Sequence, residues 1–210
     1  MATICPTVTC TDSRSYRQSI ERIADFAQRI HIDFADGVFA PTKLVPIDEA
    51  WWPVGLIVDF HVMYKKPMDY IEDIIVQQPN LVVIHAEADG VAEFLNELEG
   101  LGINRGIALL KNTPVAAISA YLDKVEHALV FSGDLGHYGG TVDYSLLDKI
   151  KDLKQIKPDL EIGWDGGINQ ESAKRLTDGG VDVLNVGGFI QNASDPEKAY
   201  DTLESSISLK

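Results

Sequence analysis

Basic residues are few. Eighteen lysines and arginines stand against 32 aspartates and glutamates, a formal net charge of −14. That balance repels polyanions, so neither nucleic acid nor an anionic membrane surface is an expected partner. Cysteine is scarcer still: Cys5 and Cys10 are the only two. Their odd spacing on one extended segment sends them to opposite faces, which argues against a disulfide framework. Neither the opening MATICPTVTCTDS nor any later stretch has the apolar run of a secretory signal or the roughly 20 residues of a membrane helix. Glycine is missing from residues 9–13, just after the first strand-like segment, where a doubly wound nucleotide-binding fold needs Gly-x-Gly-x-x-Gly. Linkers, charge blocks and low-complexity tracts are lacking as well. The expectation is a soluble, cytoplasmic chain forming one domain over residues 1–210.

Short apolar, β-branched runs are present at residues 3–8, 30–34, 56–62, 81–85, 105–109, 128–132, 160–164 and 181–186. Between them, helical spacing covers residues 13–29, 68–77, 90–98, 114–121, 144–154, 170–178 and 196–203. The strands read as near-continuous apolar segments, the pattern of a parallel sheet buried on both faces. Eight such units predict an α/β chain closed as a (β/α)8 TIM barrel, and 210 residues is near the short end for that fold. The second unit is the weakest, since PTKLVPIDEAWWPV carries three prolines and offers at most a short helix.

Catalytic groups of such a barrel project from the C-terminal ends of its strands. Strand two ends His31-Ile32-Asp33, and side-chain alternation points His31 and Asp33 to one side. Strand three supplies His61 at the same height and strand seven supplies Asp165. Two imidazoles and two carboxylates would converge on the mouth, a donor set suited to one divalent ion of zinc, iron, manganese or cobalt. Asp59 shares the inward parity of His61, either orienting an imidazole or belonging to a lower structural layer. Glycine pairs follow strands six, seven and eight: Gly139-Gly140, Gly166-Gly167 and Gly187-Gly188. Lysine and arginine are missing from these turns, which is compatible with phosphate binding through backbone N–H groups.

The segments HIDFADG, VDFHVMYKKP, VVIHAEA and WDGGIN resemble, in this order, the signatures of ribulose-phosphate 3-epimerases, over nearly the whole chain. The resemblance implies that His31, Asp33, His61 and Asp165 hold the metal, with Asp33 and Asp165 doubling as acid and base. It also implies that Thr7, His61 and the three glycine pairs meet substrate, and that the protein is a homo-oligomer acting on a ketose phosphate. His85 matches the His-Ala-Glu of the family. Met63, Ala35 and Phe131 fall where the family tends to place methionines around the reacting carbons. Trp51 and Trp52 read as packing against a helix or another subunit.

Some positions depart from the family pattern. Thr7 replaces serine and Lys111-Asn112-Thr113-Pro114 is shortened. Leu135-Gly136-His137-Tyr138-Gly139-Gly140 differs from Pro-Gly-Phe-Gly-Gly, and Gly187-Gly188 replaces Gly-Ser. The first reading is therefore interconversion of D-ribulose 5-phosphate and D-xylulose 5-phosphate. Two alternatives are 3-epimerisation of a ketohexose 6-phosphate such as allulose 6-phosphate, and a sugar-phosphate-binding barrel without turnover. A decarboxylase of a related barrel is disfavoured, because Asp59-Phe60-His61-Val62-Met63-Tyr64 lacks the Asp-x-Lys-x-x-Asp it requires.

Overall fold

The computed structural model describes residues 2–208. Eight parallel strands close a barrel in sequence order. They are β1 (Thr3–Val8), β2 (Arg29–Ala35), β3 (Ile57–Met63), β4 (Leu81–His85), β5 (Asn104–Leu109), β6 (His127–Phe131), β7 (Glu161–Asp165) and β8 (Val183–Val186). β8 pairs back onto β1, with Cys5 opposite Asn185. The (β/α)8 expectation holds, and the reason is visible in the parity of each strand. Outward residues such as Ile30, Ile32 and Phe34 of β2 join the main apolar core beneath the helices. Inward residues Leu81, Val83, Ala108 and Leu129 form a second, small cluster inside the barrel.

The helices are α1 (Ser13–Glu21), α2 (Ile71–Gln77), α3 (Val91–Glu97), α4 (Leu147–Ile156), α5 (Gln170–Asp178), α6 (Gly188–Gln191) and α7 (Pro196–Ser208). Asp12 caps α1 by accepting from the N–H groups of Arg14 and Ser15. Asn169 and Ser172 form a capping box that starts α5 immediately after the β7 turn.

Several boundaries differ from the periodicity. The first helix stops at Glu21, and Arg29 joins β2, where its guanidinium meets Asp59 and Glu161. The fifth crossover is a 3-10 helix, Val115–Lys124, opened by the bond from Ala117 N–H to the Pro114 carbonyl. The proline-rich second crossover holds only the 3-10 turn Ile47–Glu49. Short α6, after the Gly187 turn, was not legible in the pattern. Cys5 and Cys10 are both free and buried.

The floor of the barrel is ionic. Arg29 Nε donates to Asp59 at 2.5 Å, and its two terminal nitrogens bind the two oxygens of Glu161 at 2.9 Å each. His127 Nδ1 lies 2.7 Å from the same carboxylate. Asp59 also accepts from Asn80 at 2.9 Å, so of its two readings the structure supports the lower structural layer.

Candidate active site

Sheet register sets the strand-end residues beside one another in a staggered row, His31 falling opposite Asp59, one inward step below Asp33. Asp33 sits opposite His61, Thr7 opposite His31 and Asp165 opposite Asn185. One donor atom from each of His31, Asp33, His61 and Asp165 lies within 4.8 Å of all the others. Asp33 Oδ1 is 2.9 Å from His61 Nδ1 and 3.3 Å from His31 Nε2. Asp165 Oδ2 is 3.6 Å from His61 Nδ1 and 3.7 Å from His31 Nε2.

The electrostatics split the two carboxylates. Burial pushes Asp165 up to about 7, and the neighbouring charge of Asp33 adds to it. Burial acts the same way on Asp33, but His31 and His61 outweigh it and hold that carboxyl well below the usual range. His61 is pushed down to about 4, chiefly by burial. Titratable groups driven apart in this way suit acid and base roles.

These side chains fit a divalent cation. His31 Nε2 is buried without a hydrogen-bond partner although it is aimed into the cluster, and a buried polar atom is rarely left so unless something completes it. His61 offers Nδ1 to the cluster, and its Nε2 lies 2.9 Å from Nε2 of His85. His85 Nδ1 in turn faces Glu87 Oε2 at 3.5 Å. Glu87 is anchored by the Leu110 N–H at 3.2 Å and by the Thr113 hydroxyl. Lys149 ties down that loop through the carbonyls of Leu110, Lys111 and Thr113.

Above the cluster opens a cavity of about 340 Å³ that reaches Thr7, Met63, Phe131 and all six glycines of the three turns. The glycines are not equivalent. A Cβ on Gly166 would stand 2.1 Å from the Gly133 nitrogen, and one on Gly167 would stand 2.5 Å from the Val142 nitrogen. Both are needed for the loop after β7 to lie on the loop after β6. The Gly167 N–H is already taken by the Gly139 carbonyl. Gly139 has open space where its side chain would be.

The second aspartate of HIDFADG does not join the cluster. Asp36 accepts from the N–H groups of Val38 and Phe39, and from Lys65 N–H, each at 2.7 Å, so it shapes the loop after β2. Ala35 and Met63 pack with Ala40 and Leu44. Trp52 meets Phe60 of β3 edge-on at 5.6 Å, while Trp51 is exposed, bonded through its backbone to the Tyr16 hydroxyl, with Arg17 of α1 over its ring.

Three side chains of the site were not anticipated. Asn185 is 3% exposed, lines the cavity and has an unpartnered Oδ1; its signal was a lone polar residue at inward parity in an apolar strand. Thr9 donates to Asp33 Oδ2 at 2.6 Å. Tyr138 reaches β1 from the loop after β6, and no periodicity marks either contact. Thr7 Oγ1, which was anticipated, is likewise buried and unpartnered.

Residues 3–191 match the Ribulose-phosphate 3 epimerase family. The ribulose-phosphate 3-epimerase of Bacillus subtilis (strain 168) is 30% identical over 216 residues, covering 98% of this chain and 100% of that protein. The enzyme of that name from Treponema pallidum is 30% identical over 194 residues, covering 88% and 89%. Among solved structures, KGPDC from Streptococcus mutans superposes with a TM-score of 0.74 at 14% identity, over 99% of this chain and 97% of that one. That last likeness is one of fold.

Proposed function

Because this chain belongs to the ribulose-phosphate 3-epimerase family, whose members are isomerases of carbohydrate phosphates, we propose that it interconverts D-ribulose 5-phosphate and D-xylulose 5-phosphate. The observation that carries this reading is the pairing of Asp33 and Asp165 in one buried four-donor cluster at the base of the cavity.

Inversion at a carbon beside a ketone needs a proton removed on one face and another delivered on the opposite face. Asp33 and Asp165 come from β2 and β7, and a sugar seated over the cluster can meet one carboxylate at each face. One takes the C3 proton, the chain holds the planar enediolate, and the other returns a proton from the far side. His31, Asp33, His61 and Asp165 would hold one divalent zinc, iron, manganese or cobalt ion, which would stabilise negative charge developing on the substrate oxygens. The buried, unpartnered Thr7 Oγ1 on the cavity wall supports a contact with a sugar oxygen. The backbone around Gly139, Gly140, Gly187 and Gly188 serves the phosphate end, where lysine and arginine are not needed.

Proton NMR of D-ribulose 5-phosphate in D2O with metal-loaded protein tests this. Loss of the C3 proton signal together with appearance of xylulose 5-phosphate is the expected result. A clear preference in kcat/KM for allulose 6-phosphate would replace the five-carbon assignment. Binding without any proton exchange would overturn the assignment of turnover.

A further inference from the structure

The loop after β6 touches the loop after β2 through His137 Nε2 and Thr42 Oγ1 at 2.9 Å, and through Tyr138 it reaches the end of β1. Tyr138 makes the contact: its hydroxyl accepts from the Thr9 N–H at 2.7 Å and donates to the Thr7 carbonyl at 3.3 Å. The seat for its ring is built into the fold. A Cβ on Gly187 would stand 2.4 Å from the Tyr138 Cδ1. The Tyr138 ring therefore occupies the space that any side chain at Gly187 would need. Burial raises the phenol pKa above its ordinary value, so the hydroxyl stays protonated and fills both roles.

The same contact reaches the chemistry. The Thr9 hydroxyl donates to Asp33 Oδ2 at 2.6 Å, and Asp33 Oδ1 faces His61 Nδ1 at 2.9 Å. Thr9 thus sets which oxygen of Asp33 faces the cluster, and the backbone that carries Thr9 is held by Tyr138. The path from the rim to the carboxylate is continuous: ring on Gly187, hydroxyl on Thr9, hydroxyl on Asp33.

We propose that Tyr138 is a positioning residue for proton transfer, fastening the loop after β6 onto the end of β1 and, through Thr9, aligning the Asp33 carboxylate. This rests on the assignment of Asp33 as a proton-transfer group.

The test uses metal-loaded Tyr138→Phe, Thr9→Val, Thr9→Ser and the Tyr138→Phe/Thr9→Val double variant. Amide hydrogen exchange is followed at residues 134–140, and kcat and KM are measured for D-ribulose 5-phosphate. In Tyr138→Phe, exchange in this loop accelerates and kcat falls about tenfold, while KM and the melting temperature stay near wild type, the split expected when alignment and not binding is lost. Thr9→Val lowers kcat similarly and leaves loop exchange unchanged, and Thr9→Ser recovers most of the loss. The double variant is no slower than the slower single variant, since both act on one carboxylate. Unchanged loop exchange in Tyr138→Phe, wild-type kcat in that variant, or multiplying losses in the double variant would each overturn the proposal. If the wild-type protein exchanges no C3 proton, the assigned function fails separately. Loop exchange then decides the fastening by itself, supporting it if faster in Tyr138→Phe and overturning it if unchanged.

Discussion

His85 Nε2 stands 2.9 Å from His61 Nε2, on the side of the His61 ring away from Asp33. For His61 to give a lone pair at Nδ1, its Nε2 must carry the proton, and His85 Nε2 must accept it. His85 is then protonated at Nδ1, facing Glu87. Such outer partners fix the tautomer and ring angle of a ligand, and losing one typically weakens metal affinity about 10–100-fold. His85→Ala is therefore expected to bind Co²⁺ weaker by that factor in a direct titration. Wild-type affinity would reduce His85 to a packing residue.

Removing one carboxylate arm should be far more damaging than weakening the ion's seat. Asp33→Asn and Asp165→Asn keep the side-chain shape but cannot take a proton, and general acid–base terms are worth about 10²–10⁴-fold. Turnover is expected to fall at least that far in each. Metal content measured alongside separates a lost ligand from a lost proton carrier. Near-wild-type turnover in either fully loaded variant would take that residue out of the mechanism.

The barrel and its four-donor cluster were readable because both follow from period-two alternation. His31 and Asp33 share a side by spacing alone, and β7 delivers Asp165 by the same rule. Glycine pairs were readable as a group but not in their separate duties: Gly166 and Gly167 serve loop packing, and Gly187 makes room for a ring. Tertiary contacts between distant loops leave no periodic trace, which is why Thr9 and Tyr138 were missed. The residues between Glu21 and Arg29 were misread for a related reason, since the ionic floor draws Arg29 into the sheet.

Asn185 puts a buried amide on the wall of the cavity. Its amide is 3% exposed and its Oδ1 unpartnered beside the cavity, a state that costs about 1–3 kcal/mol. Leucine has nearly the same shape and no such penalty. Asn185→Leu should thus raise the melting temperature of the ligand-free protein while raising KM for D-ribulose 5-phosphate. A lowered melting temperature would mean that the amide is satisfied within the folded chain and is not kept for substrate.

Glu161 gives the opposite trade at the far end of the barrel. Burial would raise its pKa, but His127 and the paired nitrogens of Arg29 overcome that and hold the carboxyl well below its ordinary range. A group whose folded pKa is depressed stabilises the protein above its unfolded pKa, about 4.3 for glutamate, and loses that contribution as pH falls toward the folded value. Stability of the metal-free protein should consequently decline as pH drops below about 5. Glu161→Gln removes this contribution at neutral pH and leaves Arg29, only 13% exposed in its side chain, with Asp59 as its remaining carboxylate. The variant should melt lower at pH 7, and the gap to wild type should narrow with acidification. Melting curves at matched pH values decide it: a constant gap from pH 7 to pH 3 would show that Glu161 acts through its shape and not through its charge.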